Sequence, residues 1–579
     1  MSRETNLVGL PSVDQPWLKY YDAAHVKAEV FTCTLYEYFV ENNHSYPDDI
    51  ACHYLSRTIR YGEVFRQIDL CTQSLLALGV RRNDIVTIAM PSVPEVVYLV
   101  YALNRLGAVA NMIHPLASAE ETLNYLNEMP NRLAFVFTGT YALLRDHLDK
   151  VSVEKLVVVS PAQSLQPVLR SIYALKNRKE RVSENSLVMT WGTFMKQGRG
   201  VTLPQRVERA DDDWAVISHT GGTTGRPKGV VNSNMNIIGQ MWQMVEGRGC
   251  RRQDCMMIQL PPFINYSLVT ILESFCYGFR VLLIPKYDPS KLPEYIYRYK
   301  VNFIHSIPAY WEALFHISKI RKNAFSSLRA IASGGESMDV ETEKAVNDIL
   351  HAGGGRLNLM MGLGMTESTS GVVGTYPWAK VPGSVGIPFL KTNCRIVDVT
   401  TGEELSYNEE GEICFSGPTI MVGYYKNPEA TADIIKTDAD GTRWLHTGDV
   451  GYMNEDGLLF LTGRLKRLIM QKDENGMVSK IFPERIESVI MQMPEIEECC
   501  VVGKTDATRI NLPIAYVVVS PKAAGVGEAE VCQSVIRWCQ GQLPAYMIPS
   551  EVHVLSTMPR TDRGKIDYRA LERKPKMKS

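Results

Sequence analysis

The sequence has 579 residues, of which 45% are hydrophobic and 22% charged, and its formal net charge is −1. This length predicts two to four domains, and the composition is ordinary for globular enzymes. The near-neutral charge argues against a nucleic-acid-binding protein, because such a protein needs a basic surface, and positive charge clusters only in residues 573–579.

The sequence also argues against export and membrane insertion. Its first residues contain no apolar core of signal-peptide length, and the apolar stretch 96–113 is interrupted by Asn104 and Arg105. Twelve cysteines without a Cys-x-x-Cys pair suit a reduced chain better than a disulfide framework or a zinc site. We therefore expect a cytoplasmic protein without integral membrane association.

From about Asp49 to Thr138, short β-type runs alternate with helical patterns. Helices are predicted over Gly62–Gly79, Pro94–Leu106 and Ala119–Glu128, with strands at 84–90, 108–113 and 133–138. Such alternation predicts a parallel, three-layer α/β arrangement, in which ligands bind in the loops that follow the strands. The charge-rich segments 176–184 and 208–213 are interpreted as an exposed connection and a linker.

The stretch Ala215–Asn232 is suited to holding phosphate. Glycine lets backbone N–H groups turn towards an anion, threonine hydroxyls add donors, and the two basic residues Arg226 and Lys228 supply charge. A Walker-type loop would require Gly-Lys-Ser/Thr followed at once by a helix, whereas Pro227 precedes Lys228 here and a β-type run follows. The loop is therefore predicted to join two strands, with a helix only from about Met235, capped by Asn232 or Ser233.

The α/β pattern returns after this loop. Strands are predicted at 256–263, 280–285, 302–308 and 328–335, and helices near Val269–Tyr277, Pro289–Tyr299, Pro308–Ile317 and Val340–His351. Short strands and turns over 383–460 indicate a small β-barrel, and the remainder indicates a compact α+β domain. The predicted fold class is α/β, with two three-layer α/β subdomains plus the barrel in a large N-terminal domain and an α+β C-terminal domain.

The ten residues TGGTTGRPKG at 220–229 resemble the phosphate loop of the adenylate-forming superfamily, which includes acyl- and aryl-CoA synthetases, peptide-synthetase adenylation domains and luciferases. Later segments resemble further superfamily motifs in the same order: SGGES at 333–337, MGLGMTES at 361–368, LHTGD at 445–449, GRLKR at 463–467 and PRTDRGKIDYRAL at 559–571. Ordered matches of this kind rarely arise by chance.

The resemblance implies a role for each matched residue. Thr366 would contact the α-phosphate, Glu367 would hold Mg²⁺, and Asp449 would accept hydrogen bonds from both ribose hydroxyls. Lys565 would be catalytic together with Lys228, Thr220 and Glu367. The implied nucleotide-binding residues are Thr220, Gly221, Gly222, Thr223, Thr224, Gly225, Lys228, Gly334, Gly335, Glu336, Ser337, Met361, Gly362, Leu363, Gly364, Met365, Thr366, Asp449, Arg464 and Lys565.

Three features depart from the superfamily pattern. Leu363 occupies the place of an aromatic residue that stacks on adenine, and Asn265 occupies the place of a His in many acyl-CoA synthetases or an Asp in amino-acid-activating domains. The segment Asp473–Lys480 replaces a shorter glycine-rich one that faces the pantetheine tunnel. It could narrow that tunnel or offer Lys472 and Lys480 to the phosphates of coenzyme A.

The resemblance implies a magnesium- and ATP-dependent ligase with an adenylating domain at 1–464 and a mobile domain at 465–579 that rotates about Lys466. It would convert a medium- to long-chain fatty acid to acyl-AMP and then to a thioester of coenzyme A. The alternatives are transfer to a carrier protein, luciferase-type oxidation, a nucleotide-binding regulator and a phosphoryl-transfer enzyme. A monomer or homodimer is expected.

Overall fold

A computed structural model describes residues 8–177, 182–203, 213–220, 227–245, 249–336, 338–472, 478–506, 508–520, 525–560 and 566–573. The chain divides into two compact units. The larger unit contains Gln15–Asn393 and Phe415–Leu445, and the smaller unit contains Met1–Asp14, Cys394–Cys414 and His446–Ser579. The domain boundary after residue 464 stays a prediction.

The helices of the described residues are α1 Pro11–Asp14, α2 Ala23–Lys27, α3 Leu35–Asn43, α4 Tyr61–Ala77, α5 Pro94–Leu106, α6 Ala119–Glu128, α7 Thr138–Leu144, α8 Pro167–Lys176, α9 Trp191–Gln197, α10 Asn234–Val245, α11 Asn265–Cys276, α12 Leu292–Tyr299, α13 Pro308–Glu312, α14 Val340–Ala352, α15 Pro428–Ile434, α16 Pro483–Ile490, α17 Glu528–Gln540 and α18 Tyr568–Arg573.

The strands are β1 Ile50–Tyr54, β2 Arg57–Arg60, β3 Ile85–Ala89, β4 Val109–Met112, β5 Asn131–Phe137, β6 Lys155–Val159, β7 Val188–Thr190, β8 Trp214–His219, β9 Gly229–Ser233, β10 Cys255–Ile258, β11 Arg280–Leu283, β12 Phe303–Ser306, β13 Ala330–Ser333, β14 Met360–Met365, β15 Ser370–Gly374, β16 Ile387–Pro388, β17 Asn393–Val397, β18 Gly411–Ser416, β19 Gly423–Tyr424, β20 Ile435–Thr437, β21 Arg443–Met453, β22 Leu459–Arg464, β23 Ile469–Lys472, β24 Val478–Ile481, β25 Ile496–Asp506, β26 Ile510–Val519 and β27 Glu551–Leu555.

The larger unit is built on two sheets. One has the order β19-β9-β8-β4-β3-β5-β6-β7, and the other has the order β16-β15-β14-β13-β12-β10-β11-β1-β2. Helices α5, α10 and α11 are buried along almost their whole length and form the core of this unit together with α3 and α4. Most residues of α5 are apolar, and a helix with so much apolar surface is stable in water only when it is buried in this way.

The hairpin β1–β2 joins the second sheet, although it precedes every strand of the first. β1 runs parallel to β11, with Cys52 opposite Val281, and β2 runs antiparallel to β1. Residues 50–60 thus form a two-stranded hairpin with its turn at Leu55 and Ser56. Its partner could not be read from the sequence, because a hydrophobic run does not specify which sheet it joins.

The smaller unit contains two further groups of strands. In the first, β22 pairs with β21 and places Arg464 opposite Asp449. In the second, the order is β24-β23-β26-β25 with β27 parallel to β26, and α16 and α17 pack on this sheet through Ile486 and Val535. This second group is the predicted α+β region.

The predicted α/β fold class is confirmed, and most predicted helices appear within one or two residues of their expected ends. Helix α11 begins at Asn265, four residues before the predicted start. In α10 the Ser233 hydroxyl accepts a hydrogen bond from the Asn236 N–H, so Ser233 acts as the cap. Within the described ranges, no helix combines the length and apolar character needed to cross a bilayer.

Candidate active site

The predicted phosphate loop connects two antiparallel strands, as expected. Strands β8 and β9 pair up to His219 opposite Gly229. Beyond that pair, the Thr220 N–H donates to the Lys228 carbonyl at 3.0 Å, and the Lys228 N–H donates to the Thr220 hydroxyl at 3.2 Å. The two ends of the loop are thereby held together. The predicted phosphate-binding residues 221–226 lie outside the described part of the chain.

Lys228 and Glu367 are linked through Tyr424, a residue that the sequence did not single out. The Lys228 ammonium lies 4.7 Å from the centre of the Tyr424 ring, and the Tyr424 hydroxyl donates to Glu367 Oε1 at 2.6 Å. Burial, followed by the Glu367 charge, raises the pKa of Tyr424, so its hydroxyl stays protonated and donates. The arrangement holds one cation and one carboxylate beside the end of the loop.

A buried chain of polar side chains connects this loop with the segment after β14. Ser218 donates to the Asn265 carbonyl oxygen at 2.9 Å, Asn265 donates to Asn232 at 3.4 Å, and Asn232 donates to Thr369 at 3.0 Å. The Thr369 hydroxyl in turn donates to the carbonyl of Thr419. Each bond satisfies a buried polar group, so the network fixes the relative positions of β8, β9 and α11. The Asn265 amide is thus bonded to protein groups at both ends.

The two segments expected to bind adenine and the α-phosphate lie next to each other. Strands β13 and β14 are parallel neighbours, with Ser333 opposite Met361, so Gly334 follows one strand close to Gly362 in the other. Gly335 has a φ of +84°, a conformation that glycine adopts without strain. At Gly364, a Cβ would come within 2.0 Å of the Ser370 carbonyl oxygen, so only glycine fits there.

Other predicted residues of this region are placed as follows. Glu336 is exposed, Ser337 lies outside the described residues, and Leu363 is half-buried opposite Val373 in β15. Thr366 begins a short 3₁₀ turn, in which Glu367 is only 8% exposed. The structure therefore brings Gly334, Gly335 and 361–367 together.

A small pocket opens at the carboxyl ends of β10 and β12. Gln259 donates from Nε2 to the His305 carbonyl at 2.8 Å, whereas its buried Oε1 has no hydrogen-bond partner among the described residues. Tyr266 also borders Gly334, which connects the pocket with the β13 segment. The residues that line the pocket are Ile258, Gln259, Leu260, Tyr266, Ser267, Thr270 and His305.

His219 is the last residue of β8 before the phosphate loop. Its Nε2 lies 2.7 Å from Asn111 Oδ1, and its ring packs against Tyr125 with 4.6 Å between centroids. Burial lowers the pKa of His219 to about 4. The imidazole is therefore neutral at physiological pH and contributes packing and a hydrogen bond, not charge.

Asp449 and Arg464 form an ion pair in the smaller unit. Arg464 Nε lies 2.6 Å from Asp449 Oδ1, and the carboxylate is buried whereas the Arg464 side chain is 61% exposed. Burial raises the pKa of Asp449, Arg464 opposes that shift, and the Glu412 charge adds to it. One buried carboxylate and one exposed guanidinium are thus available to a ligand with hydroxyl groups.

Glu412 holds the turn that carries Asp449. Its Oε1 accepts a hydrogen bond from the Gly448 N–H at 2.9 Å, and its Oε2 lies 2.7 Å from His446 Nδ1. The Thr447 hydroxyl donates to the Ile413 carbonyl and accepts from the Asp449 N–H. The ligand atoms of Glu412, Cys414 and His446 also lie within 4.8 Å of one another, close enough to share a cation.

Two predicted residues remain. Lys466 is exposed within a short 3₁₀ turn, and the next residue, Arg467, pairs with Glu484 and Glu487 at 3.1 and 2.5 Å. Lys565, the predicted catalytic lysine, lies outside the described residues.

A family model described as AMP-binding enzyme matches residues 39–425, and a second, the C-terminal domain of the same enzymes, matches residues 485–565. The chain belongs to the AMP-binding enzyme family. This confirms the superfamily to which the motifs pointed and the prediction that the protein is an enzyme.

Named members of this AMP-binding family resemble the chain over most of its length. A long-chain-fatty-acid–CoA ligase of Bacillus subtilis (strain 168) is 26% identical and covers 96% of this chain and 97% of its own. 4-Coumarate–CoA ligase 1 of Arabidopsis thaliana is 30% identical and covers 84% and 83%. O-Succinylbenzoate coenzyme A synthetase of Bacillus subtilis, solved with ATP and magnesium ion, has a TM-score of 0.69 at 24% identity and covers 93% and 98%.

Three residues of this AMP-binding enzyme were missed from the sequence. Tyr424 ends the two-residue strand β19 and Glu412 is the second residue of β18, and neither Gly-Tyr-Tyr nor Gly-Glu signals a site by itself. Gln259 was included in a strand without a functional role. Only their three-dimensional neighbours, Glu367, Gly448 and His305, reveal what these side chains do.

Proposed function

We propose that the protein activates a carboxylic acid with Mg·ATP as an acyl-AMP, releases pyrophosphate, and then forms a thioester with coenzyme A. The observation that carries this proposal is the arrangement of Lys228, Tyr424 and Glu367 beside the closed ends of the phosphate loop. It supplies an exposed cation for phosphate oxygens and a buried carboxylate for a metal ion within one connected group of side chains.

The first step joins a carboxylate oxygen of the acid to the α-phosphorus, and the bond from that phosphorus to the pyrophosphate oxygen breaks. No side chain forms a covalent bond in this step. Thr220, Lys228 and Thr366 bind phosphate oxygens, and Lys565 stabilises the charge that moves between oxygens during the attack. Mg²⁺, held by Glu367, would neutralise phosphate charge.

The proposed nucleoside-binding residues come from 334–337 and 361–365 and include Asp449 and Arg464. Gly334, Gly335, Glu336, Ser337 and the strand 361–365 border adenine, with Leu363 replacing an aromatic contact by an aliphatic one. Asp449 accepts hydrogen bonds from the ribose hydroxyls, and Arg464 contacts the nucleotide. A carboxylate suits two hydroxyl donors because it offers two acceptor oxygens.

In the second step the coenzyme A thiolate attacks the acyl carbonyl, and AMP leaves. Coenzyme A is favoured as the acceptor because the curated relatives named above are CoA ligases. Lys480, proposed to contact the acceptor's phosphates, pairs with Asp398 at 3.7 Å. A carrier protein is the alternative acceptor.

For the acid, we propose a medium- to long-chain fatty acid. The similarity to a long-chain-fatty-acid–CoA ligase extends over nearly the whole of both chains. Ile258 and Leu260 give the pocket beside β10 an apolar part. The hydrocarbon chain of a fatty acid would pack against these apolar side chains and would not need a polar partner.

One observation favours a second candidate, a hydroxyaryl acid. The buried Gln259 Oε1 lines the pocket without a donor among the described residues, and a phenolic hydroxyl would supply one. The similarity to 4-coumarate–CoA ligase 1 agrees with this reading.

The experiment is acid-dependent exchange of pyrophosphate into ATP, measured with acids from acetate to palmitate and with benzoates, cinnamate, 4-coumarate and amino acids. Preference for palmitate supports the fatty-acid proposal. Preference for 4-coumarate over cinnamate by tenfold or more, reduced by Gln259→Met, supports the second candidate. Production of ADP instead of AMP would refute both.

A further inference from the structure

Two neighbouring strands of the smaller sheet bring together a thiol, an imidazole and a carboxylate. Glu412 and Cys414 are two residues apart in β18, so both project from the same face of that strand, and His446 lies in the adjacent strand β21. The Cys414 sulfur lies 3.4 Å from His446 Nδ1, and Glu412 Oε2 lies 2.7 Å from the same nitrogen. Such a cluster needs no Cys-x-x-Cys pair, because the pairing of two strands assembles it.

The spacing of these donor atoms is close to that around a tetrahedral zinc ion. Bonds of about 2.3 Å from zinc to sulfur and about 2.0–2.2 Å to nitrogen and oxygen place neighbouring donors roughly 3.3–3.6 Å apart. The sulfur–nitrogen separation already meets this requirement, and the nitrogen–oxygen separation has to lengthen by less than about 1 Å. Cys414 is fully buried, whereas the side chains of His446 and Glu412 are 19% and 12% exposed, so an ion can enter from solvent.

Neighbouring groups orient the donors. Glu412 Oε1 accepts a hydrogen bond from the Gly448 N–H at 2.9 Å, which leaves Oε2 to face His446. Outer partners of this kind hold the ligands of metal sites in position. Burial, followed by the Glu412 charge, raises the pKa of the Cys414 thiol, and Arg395 opposes that shift. A zinc ion therefore has to displace the thiol proton to solvent, as it does when it binds cysteine in general.

We propose that Glu412, Cys414 and His446 bind one zinc ion, with a water molecule as the fourth ligand. Among the residues that the structure describes, no fourth His, Cys, Asp or Glu joins the group. A thiolate and an imidazole suit zinc, whereas Mg²⁺ and Ca²⁺ prefer oxygen ligands throughout. On binding, His446 Nδ1 exchanges its hydrogen bond with Glu412 for the metal, and the ring proton sits on Nε2. The two anionic donors offset the charge of the ion, which Arg395 opposes.

This zinc site is separate from the magnesium-binding role proposed for Glu367, which lies in the larger unit. The zinc ion would cross-link β18 to β21 beside the turn that carries Asp449, and the Glu412–Gly448 hydrogen bond would remain in place. The expected role is therefore structural, as a clamp between two strands. The proposal depends on no step of the adenylation chemistry.

The test is titration of the metal-free full-length protein with Co²⁺ in excess Mg²⁺, because Co²⁺ enters zinc sites and absorbs by charge transfer when a thiolate binds it. In the wild type this absorption should saturate at one Co²⁺ per chain, and Zn²⁺ should abolish it. Cys414→Ser should lose the absorption. Cys532→Ser should retain it, because the half-buried Cys532 thiol donates to the Val552 carbonyl at 3.2 Å, outside the cluster. His446→Gln should weaken Co²⁺ binding about 100-fold or more, since even an outer partner of a metal ligand contributes 10- to 100-fold.

X-ray absorption of the zinc-loaded wild type tests the same site without a substitution. We expect one sulfur at about 2.3 Å, with nitrogen or oxygen ligands at about 2.0–2.1 Å. A zinc ion with no sulfur ligand, or with two, would overturn the proposal. So would charge-transfer absorption that is absent from the wild type, survives Cys414→Ser or disappears in Cys532→Ser. If thermal unfolding shows that Cys414→Ser does not fold, the wild-type ligand set and His446→Gln decide, and an unchanged Co²⁺ affinity in His446→Gln would equally contradict the site.

Discussion

Glu412 is the clearest case of a residue that should affect nucleotide binding without touching the nucleotide. In Glu412→Ala, the Gly448 N–H loses its partner in the turn before Asp449, and His446 Nδ1 keeps only the Cys414 sulfur at 3.4 Å. A hydrogen bond to a charged acceptor contributes about 1.5–3 kcal/mol. If about 2 kcal/mol of the ordering of this turn is lost, KM for ATP should rise about 30-fold, and kcat should change much less.

The assay compares ATP with 2′-deoxy- and 3′-deoxy-ATP in pyrophosphate exchange. If Asp449 binds both ribose hydroxyls, the wild type should discriminate against each deoxynucleotide by about tenfold or more. That discrimination should shrink to a few-fold in both Asp449→Ala and Glu412→Ala. Glu412→Gln keeps an acceptor for Gly448 and should fall between Glu412→Ala and the wild type.

A matched control is Glu410→Ala, which removes a carboxylate two residues away that pairs with Arg485 at 3.7 Å. A surface pair of this kind contributes little, so nucleotide discrimination should not change. Full discrimination in Glu412→Ala together with its loss in Asp449→Ala would refute the positioning role of Glu412. A wild type that does not discriminate would refute the ribose role of Asp449.

Three further changes give distinct outcomes. Tyr424→Phe keeps the ring beside Lys228 but removes the hydroxyl bonded to Glu367. We therefore expect kcat/KM for Mg·ATP to fall about 10- to 100-fold. An unchanged magnesium dependence in pyrophosphate exchange would argue against a link between Tyr424 and the metal-binding role of Glu367. Lys565→Ala should slow adenylation by roughly two to three orders of magnitude and thioester formation from pre-made acyl-AMP far less; equal losses would contradict a lysine that acts only in the first step. Burial raises the pKa of Glu95 from 4.5 to about 7, so the stability that its neutral form confers is complete below pH 4.5 and lost as pH rises through 7. Glu95→Gln should therefore unfold like the wild type at pH 5 and be more stable than the wild type at pH 8.5 by up to about 3 kcal/mol. Equal thermal unfolding of the two proteins at both pH values would contradict a raised pKa of Glu95.

Local patterns predicted much of the fold because local physics decides those features. Pro94–Leu106 and Ala119–Glu128 are helices with the predicted ends, since a proline at the first position and a Ser118 capping box specify where they begin. The strand–loop–strand form of the phosphate loop followed from Pro227 and the β-type run after it. The sheet that receives β1 and β2 depends on contacts with β11, more than two hundred residues away, and no local pattern encodes it.

The candidate site was predictable where one short segment carries several functional groups. Thr220, Lys228 and Glu367 lie in such segments, whereas Tyr424 becomes meaningful only when β19 pairs with β9 and brings its hydroxyl to Glu367. Asn265, by contrast, stood out in the sequence as a possible indicator of the acid. Its amide belongs to a buried network with Ser218 and Asn232, so the geometry lends no support to reading the acid from that side chain.

In the proposed first step, a carboxylate oxygen of the acid attacks the α-phosphorus of ATP. The most direct measurement supplies the best acid of the panel with ¹⁸O in its carboxylate, together with ATP, Mg²⁺ and coenzyme A, and follows the label by mass spectrometry. We expect one ¹⁸O atom in AMP for each thioester formed, with unlabelled pyrophosphate. Label in inorganic phosphate together with ADP, or AMP without label, would contradict it.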